Sequence, residues 1–484
     1  MEKHFMLLSL AFSALLLVEP ARAAYVDPAV LENGGGSPDN YLFQASATEV
    51  LLRVGPSPKG YDFSRLTDAL AQARLLRHSS NAPIRITVAE DVYSQETLPL
   101  VLDVRDLAVI GSTVLNLDPD TGIPTTTPPT VETRIVPPEP APPNGTSYFV
   151  ITTDNVTLTG FSLAAAILDN MDLFPIPETL EIFVDGSRTP SRSLSGFLVS
   201  GNYLTNDKAI ARAEHKIVGL DPVATLGITV RHASGIIEGN LMYGHHAAIA
   251  ITEGLETSAP HILVTKNRAL KNDNGVHLSG DRMCFEPPTM SDCEIPGTMF
   301  VEVADNDLSD NAFRDLGFGF IFGAGLVVFP NSTMAPSTTP SSIFAYIHDN
   351  KMTGSNYGFV ISPWARFGEC AAPGAASFQF EGTFENNVLT GNFRNRAQAS
   401  VVFWARTINP NLTQFCYRRN SAINIIDLDG ELDKCLDYDN PSIDPGGGGV
   451  KGGEPLKDRL LLNGRDTVGT HISPRDPSNP CNVE

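Results

Sequence analysis

"EGNLMYGHHAAIAITEGLETSAPHILVTKNRALKNDNGVHLSGD", Glu238 to Asp281, sets two asparagines, Asn240 and Asn267, in matching surroundings. Ile237 stands three residues before the first and Val264 three before the second, while Met242 and Ala269 follow two residues after. Each asparagine leads into a second apolar stretch, AAIAIT from Ala247 and NGVHLS from Asn274, with Ile249 and Val276 each nine residues past their asparagine. The segment therefore reads as one 27-residue unit followed by the start of its copy.

The same template recurs outward in both directions. GFLVSGNYL carries Asn202, VEVADNDL carries Asn306, AYIHDNKM carries Asn350 and GTFENNVL carries Asn387, at intervals of 38, 27, 39, 44 and 37 residues. Apolar residues at alternate positions mark one face of a short strand, because successive side chains point to opposite sides. An asparagine then turns the chain, since it tolerates left-handed backbone angles, and its amide can bond its neighbour one strand spacing (~4.8 Å) away. Further strands are expected at GFIFG from Gly319, YGFVIS from Tyr357 and ASVVFWA from Ala399. A recurrent turn residue at periods of 20 to 50 residues predicts a stacked solenoid, the longer intervals holding inserted loops. A β-sandwich is the rival, but its turns recur every 8 to 12 residues and need no repeated asparagine.

Together with the amino-terminal stretch YDFSRLTDALAQARLLRHSSNAPIRITVAEDVYSQETLPLVLDVRDLAVIGS, these residues resemble the pectin-lyase-like superfamily. The resemblance spans about Tyr61 to Ala405 in pattern rather than identity. It implies an all-β, right-handed parallel β-helix with an N-terminal capping helix (Phe63 to Leu76), a first strand from Ile84 to Val88, a turn at Tyr93 and a first full coil at DNVTLTGFSL from Asp154. The domain expectation is a signal peptide at 1–23, an extension at 24–60, the β-helix at 61–405 and an acidic, Gly-rich tail or cap at 406–484. Two Pro/Thr-rich loops, 117–147 and 330–342, are expected to be inserted between coils.

Lys3 and His4, an apolar run from Phe5 to Val18 and then Ala21-Arg22-Ala23 follow the grammar of a secretory signal cut after Ala23. The run is too short for the ~20 residues of a membrane span, so a secreted or periplasmic location is expected. Six cysteines, Cys284, Cys293, Cys370, Cys416, Cys435 and Cys481, would permit disulfides there, with Cys284 and Cys293 as the local pair. A formal charge of -21 argues against nucleic acid as a partner, because phosphate binding concentrates Lys and Arg. Sequons begin at Asn144, Asn155, Asn331 and Asn411. The sequence leaves the oligomeric state open.

For chemistry, the strand after Asn240 places His245 and His246 in a turn, with Ala248 and Ala250 facing out. One coil later Asp273 takes the place of His246, and His277 points outward above Ala250; Glu253, Asp281 and Arg282 share a rim. His245, His246, His277, Asp281 and Arg282 are the candidate catalytic residues, since histidine titrates near neutrality and carboxylates orient it. The opposing reading makes them ordinary turn and surface polars, with His246 bonded inward to the next turn. Superfamily lyases remove a proton beside a uronate carboxylate with a Lys, Arg or His base, often with calcium. By resemblance, Arg231, Lys266, Lys271 and Arg282 are the candidate cations, and Asp305, Asp307 and Asp310 the oxygen ligands. The DLDGELD run at Asp427 does not meet the EF-hand pattern.

GFIFGAGLVVFPN, Gly319 to Asn331, resembles the catalytic strand of pectin methylesterases, but Gly319 replaces the nucleophilic aspartate, and SPWAR at Ser362 lacks the arginine before Pro-Trp. Ester chemistry of that type is therefore not expected. The expected partner is an extended polysaccharide, with Tyr357, Trp364, Trp404 and Tyr417 as exposed stacking surfaces. Two functions remain: a lyase, hydrolase or epimerase acting on carbohydrate, or a non-catalytic surface or adhesion protein.

Overall fold

The computed structural model describes residues 49–56, 60–136, 147–164, 179–186, 193–206, 225–252, 260–279, 298–311, 323–329, 342–355, 357–361, 379–389, 401–403, 414–418, 425–427 and 460–462. Its strands form three parallel sheets, of twelve, ten and six strands, in which sheet neighbours come from successive turns of the chain. The protein is a parallel β-helix, right-handed as parallel crossovers are.

The rung set out in the opening stretch shows how one coil closes. Ala233–Glu238 belongs to the twelve-stranded sheet, Asn240 turns the chain, Leu241–Tyr243 lies in the six-stranded sheet, and Ala247–Thr252 lies in the ten-stranded sheet. His261–Thr265 then pairs with Ala233–Glu238, placing Val264 beside Ile237. Inside, Ile182, Ile228, Ile249, Val276, Leu326 and Phe359 form one column, all buried in a single continuous core. Each such side chain stabilises the fold by roughly 1.5–3 kcal/mol relative to exposure.

The asparagines form the expected column. Nδ2 of Asn202, Asn240, Asn267, Asn306 and Asn350 each donates to Oδ1 of the next asparagine at 2.9–3.0 Å, ending at Asn387. The same Oδ1 atoms accept the preceding asparagine's backbone N–H. Residues just before the asparagines, including Lys266, Asp305, Asp349 and Asn386, sit at φ of 53–55°, the left-handed angle such a turn demands.

Helix α1, Leu66–Ser79, covers the amino-terminal end of the core with Leu66, Ala69, Leu70 and Ala73. Arg65 supplies no side-chain cap; instead Glu96 accepts the backbone N–H groups of Leu66 and Thr67 at 2.8 Å each. This places the helix start three residues later than the sequence pattern does. The sheets also take in Val50–Val54 before residue 61, and Gln414–Arg418, Ile425–Asp427 and Leu460–Leu462 after residue 405.

Three local readings change. Within 117–147, Thr133–Ile135 is a strand of the six-stranded sheet, with Thr133 and Ile135 buried. In the Asn306 coil, the strand paired with Asn274–Ser279 is Ala324–Phe329; Gly319–Phe322 lies outside the described residues. Ala248 packs in the core with Ile249 and Ile251 and is skipped in the register with the strand before it, while Ala247 and Ala250 pack outside with Leu180, Leu226 and Phe183. The first 23 residues, the 330–341 stretch and five of the six cysteines lie outside the described residues; Cys416 is in Gln414–Arg418. Among the described residues no helix is long and apolar enough to cross a membrane.

Candidate functional site

A second polar column runs inside the β-helix, five residues past the first. His245, Asn272, Asn311 and Ser355 follow Asn240, Asn267, Asn306 and Asn350 at that offset. Asn272 Oδ1 accepts the backbone N–H of His245 at 2.9 Å and lies 3.2 Å from its Nδ1. Asn272 Nδ2 donates to Asn311 Oδ1 at 3.1 Å, and the backbone N–H of Asn311 donates to Ser355 Oγ at 2.9 Å. Because Asn272 turns its oxygen toward His245, the Nδ1 of that ring carries hydrogen. Nε2 of His245 faces Glu181 Oε2 at 3.2 Å, both side chains fully buried. Buried charges are retained where they face a partner, as these two groups do.

The residue following each of the first two members points the other way. His246 Nδ1 meets Asp273 Oδ2 at 3.0 Å; the imidazole is 14% exposed and the carboxylate buried. A carboxylate accepts, so the hydrogen is on Nδ1 and Nε2 is the basic nitrogen of the neutral ring. The two turns are zipped by backbone bonds from Asp273 N to His245 O and from Asn274 N to His246 O, both 2.9 Å.

His277 stands beside this pair, outward on Asn274–Ser279 and opposite Ala250 and Val327 in the neighbouring strands. It is 2% exposed. Burial, and secondarily the charge of His246, push its pKa down to about 3, so the ring stays neutral at physiological pH. A neutral ring carries no positive charge, so the resemblance-based expectation of a cationic base is not met at His277. Thr229, two strands away in the same outward column, and Asn274 at the start of the strand of His277 are also buried. Among the described residues, the hydroxyl of Thr229 and both amide atoms of Asn274 have no hydrogen-bond partner.

The five candidate residues thus divide three ways. His246 and His277 share the outward face, His245 turns into the core, and Asp281 and Arg282 lie outside the described residues. The inward ladder residue is His245 rather than His246. Glu253 is likewise outside the described residues. Arg231 faces outward with its guanidinium over the Phe183 ring at 5.0 Å, while Lys266 and Lys271 are left-handed turn residues. Asp305 and Asp310 are turn residues too, and Asp307 is held by Arg268 at 3.1 Å and Lys351 at 3.7 Å. These aspartates therefore occupy separate places. Among the described residues no group of three or more His, Cys, Asp or Glu converges on one point, so the calcium ligation implied by resemblance finds no donor set there.

Tyr357 is 2% exposed and so is no sugar platform; Trp364 and Trp404 lie outside the described residues. On the twelve-stranded sheet His261, Phe300 and Phe344 stack at 4.6 and 4.9 Å, with interplanar angles of 9° and 17°. Rings piled at the rung spacing cover one another's faces and leave their edges outward, whereas a sugar stacks on a face. The outward polar group around His246 is the better site.

Asn272, Asn311, Ser355, Glu181 and Asn274 are absent from the sequence expectation. The fixed offset of five was available to find the first three. Glu181 lies in another coil and no local pattern links it to His245.

No family model matches the chain, and no curated protein does. Among solved structures, the chain is similar to XylC in complex with xylose, with 10% identity, 77% of this chain and 70% of that one covered, and a TM-score of 0.36. It is similar to a pectin methylesterase in complex with a hexasaccharide, with 12% identity, 76% and 89% covered, and a TM-score of 0.32. It is also similar to the A-module of the Azotobacter vinelandii mannuronan C-5 epimerase AlgE6, with 9% identity, 73% and 89% covered, and a TM-score of 0.28. At such values these likenesses assign no residue a role; the fold rests on the chain's own strand register and ladders.

Proposed function

We propose that this is an exported carbohydrate-active protein that binds an extended polysaccharide along the outward face of the ten-stranded sheet, with His246 as its proton-transferring residue. The supporting observation is the His246–Asp273 pair at 3.0 Å. A buried carboxylate fixes the ring's tautomer and stabilises the imidazolium that forms when Nε2 takes a proton, so a lyase, hydrolase or epimerase step has its acid–base group. His246, 14% exposed, is the group on this face that a sugar reaches directly, while Thr229, Asn274 and neutral His277 are buried on the same face. Removal of Phe5 to Val18 by cleavage after Ala23 belongs to the same proposal and is read directly from the amino terminus of the mature protein by mass spectrometry.

The test is a panel of uronic and neutral polysaccharides assayed for new reducing ends, unsaturated products and epimerised residues. At least one substrate should change, and His246→Ala should lower that rate about 100-fold or more, the scale of losing a positioned acid–base group. Intact substrates throughout would leave the second reading, a non-catalytic surface or adhesion protein. That reading has its own observation: His277 and Asp273 are almost wholly buried.

A further inference from the structure

We propose that Asn272 is the positioning residue of the His246–Asp273 pair, acting from inside the β-helix through His245 and through the backbone; the proposal rests on the role assigned to His246 above. In two successive coils a ladder residue is followed at once by an outward residue: His245 by His246, and Asn272 by Asp273. Adjacent residues on opposite faces share one planar peptide unit, so fixing the inward side chain fixes where the outward one starts. Asn272 Oδ1 holds the His245 backbone N–H at 2.9 Å and the ring at 3.2 Å, while Glu181 closes the far side of that ring at 3.2 Å. The turn of His246 is therefore tied down from within on the Asn272 amide. Asn272 itself is fixed from the next coil, its backbone N–H donating to Asn311 Oδ1 at 3.0 Å and its Nδ2 to the same atom at 3.1 Å. The two outward residues meet at 3.0 Å because the two inward residues are bonded one coil apart.

The arrangement differs from the asparagine column. There Asn202, Asn240 and Asn267 are followed by Tyr203, Leu241 and Arg268 of the six-stranded sheet, and Asn306, Asn350 and Asn387 by Asp307, Lys351 and Val388, which bridge in line with Arg268. Loss of an amide in that column weakens the solenoid without touching the histidine pair. Loss of the Asn272 oxygen frees the His245 N–H and the turn that carries His246.

The experiment reads the His246 ring by long-range 1H–15N correlation in the full mature chain, in the wild type and in Asn272→Ala, Asn272→Ser and Asn306→Ala. The wild type should show the Nδ1–H tautomer of His246. Asn272→Ala should move its ring nitrogens toward the average of the two tautomers. Asn272→Ser, which keeps an oxygen as Ser355 does in the same column, should restore most of the wild-type signature. Asn306→Ala, a comparable loss in the other ladder, should leave it unchanged. An unaltered His246 in folded Asn272→Ala, or an equal change in Asn306→Ala, overturns the proposal. Should Asn272→Ala not fold, Asn311→Ala frees the Asn272 amide while sparing the bonds of His245. A smaller shift of His246 is then expected, and no shift overturns the proposal. The readout requires no substrate, so failure of the enzymatic reading and failure of this one are separate results. If activity is found, Asn272→Ala should lower kcat about tenfold or more with KM little changed.

Discussion

The two interior ladders are built from the same amide chemistry and do different things. The first, Asn202 to Asn387, repeats one side chain through six coils, and all five links between them are made by the same amide bond. The second changes from histidine through two asparagines to serine, and its histidine end meets a buried glutamate. Uniformity gives mechanical register, since each oxygen from Asn240 to Asn387 accepts two bonds from the coil before it. Variation gives the second ladder a place where the interior is coupled to an outward histidine pair. Repetition of a residue in a solenoid thus marks scaffold, and departure from the repeat marks the place to look for function.

Mutation should separate the two columns. The largest effect is expected at Asn267→Ala. Its amide accepts from Asn240 N and Nδ2 and donates to Ile237 O, Thr265 O and Asn306 Oδ1. Buried groups left unpaired cost about 1–3 kcal/mol each, so a loss of about 3–5 kcal/mol in denaturant unfolding is expected. A loss under 1 kcal/mol would mean that the column is dispensable. Asn272→Ala should cost less, about 2–3 kcal/mol by the same assay, because His245 retains its Glu181 contact.

His277→Val comes next and is read as pH dependence. The folded state holds this ring neutral with a pKa of about 3, while the unfolded chain takes its proton near 6.5. Its stabilising share is therefore complete above pH 6.5 and is lost as pH falls from there toward 3, at about 1.4 kcal/mol per pH unit. Valine, the residue at the equivalent Val327, should remove that slope, and an unchanged acid limb of the unfolding curve would contradict the assignment. The smallest effect is expected at Asn311→Ser, about 1 kcal/mol, since Ser355 already serves as an acceptor one coil on.

Much of the fold was legible in the sequence because its decisive element is periodic. The alternation Val264, Asn267, Ala269 repeats the alternation Ile237, Asn240, Met242, and both sets fall into one column. The strand in the Asn306 coil was misplaced because GFIFG and AGLVVF are equally apolar, and only the register opposite Asn274 selects the second. Thr133–Ile135 was hidden by the prolines around it, which speak for an extended chain without showing that its middle pairs. The pairing of His246 with Asp273 and the outward aim of His277 followed from counting residues past the asparagine. The inward turn of His245 did not, since neighbouring histidines in a turn carry no mark of which one the core takes. Glu181 was out of reach for another reason: its contact with His245 crosses coils separated by long insertions.

Hydrogen exchange at the ladder backbone amides tests the central claim most directly, because each bond has a direction. The Asn240 N–H is accepted by Asn267 Oδ1, and the Asn267 N–H by Asn306 Oδ1. In Asn267→Ala, protection should collapse at residue 240 and persist at residue 267. Equal loss at both positions, or loss at 267 with 240 still protected, would contradict a column in which each amide oxygen holds the coil before it.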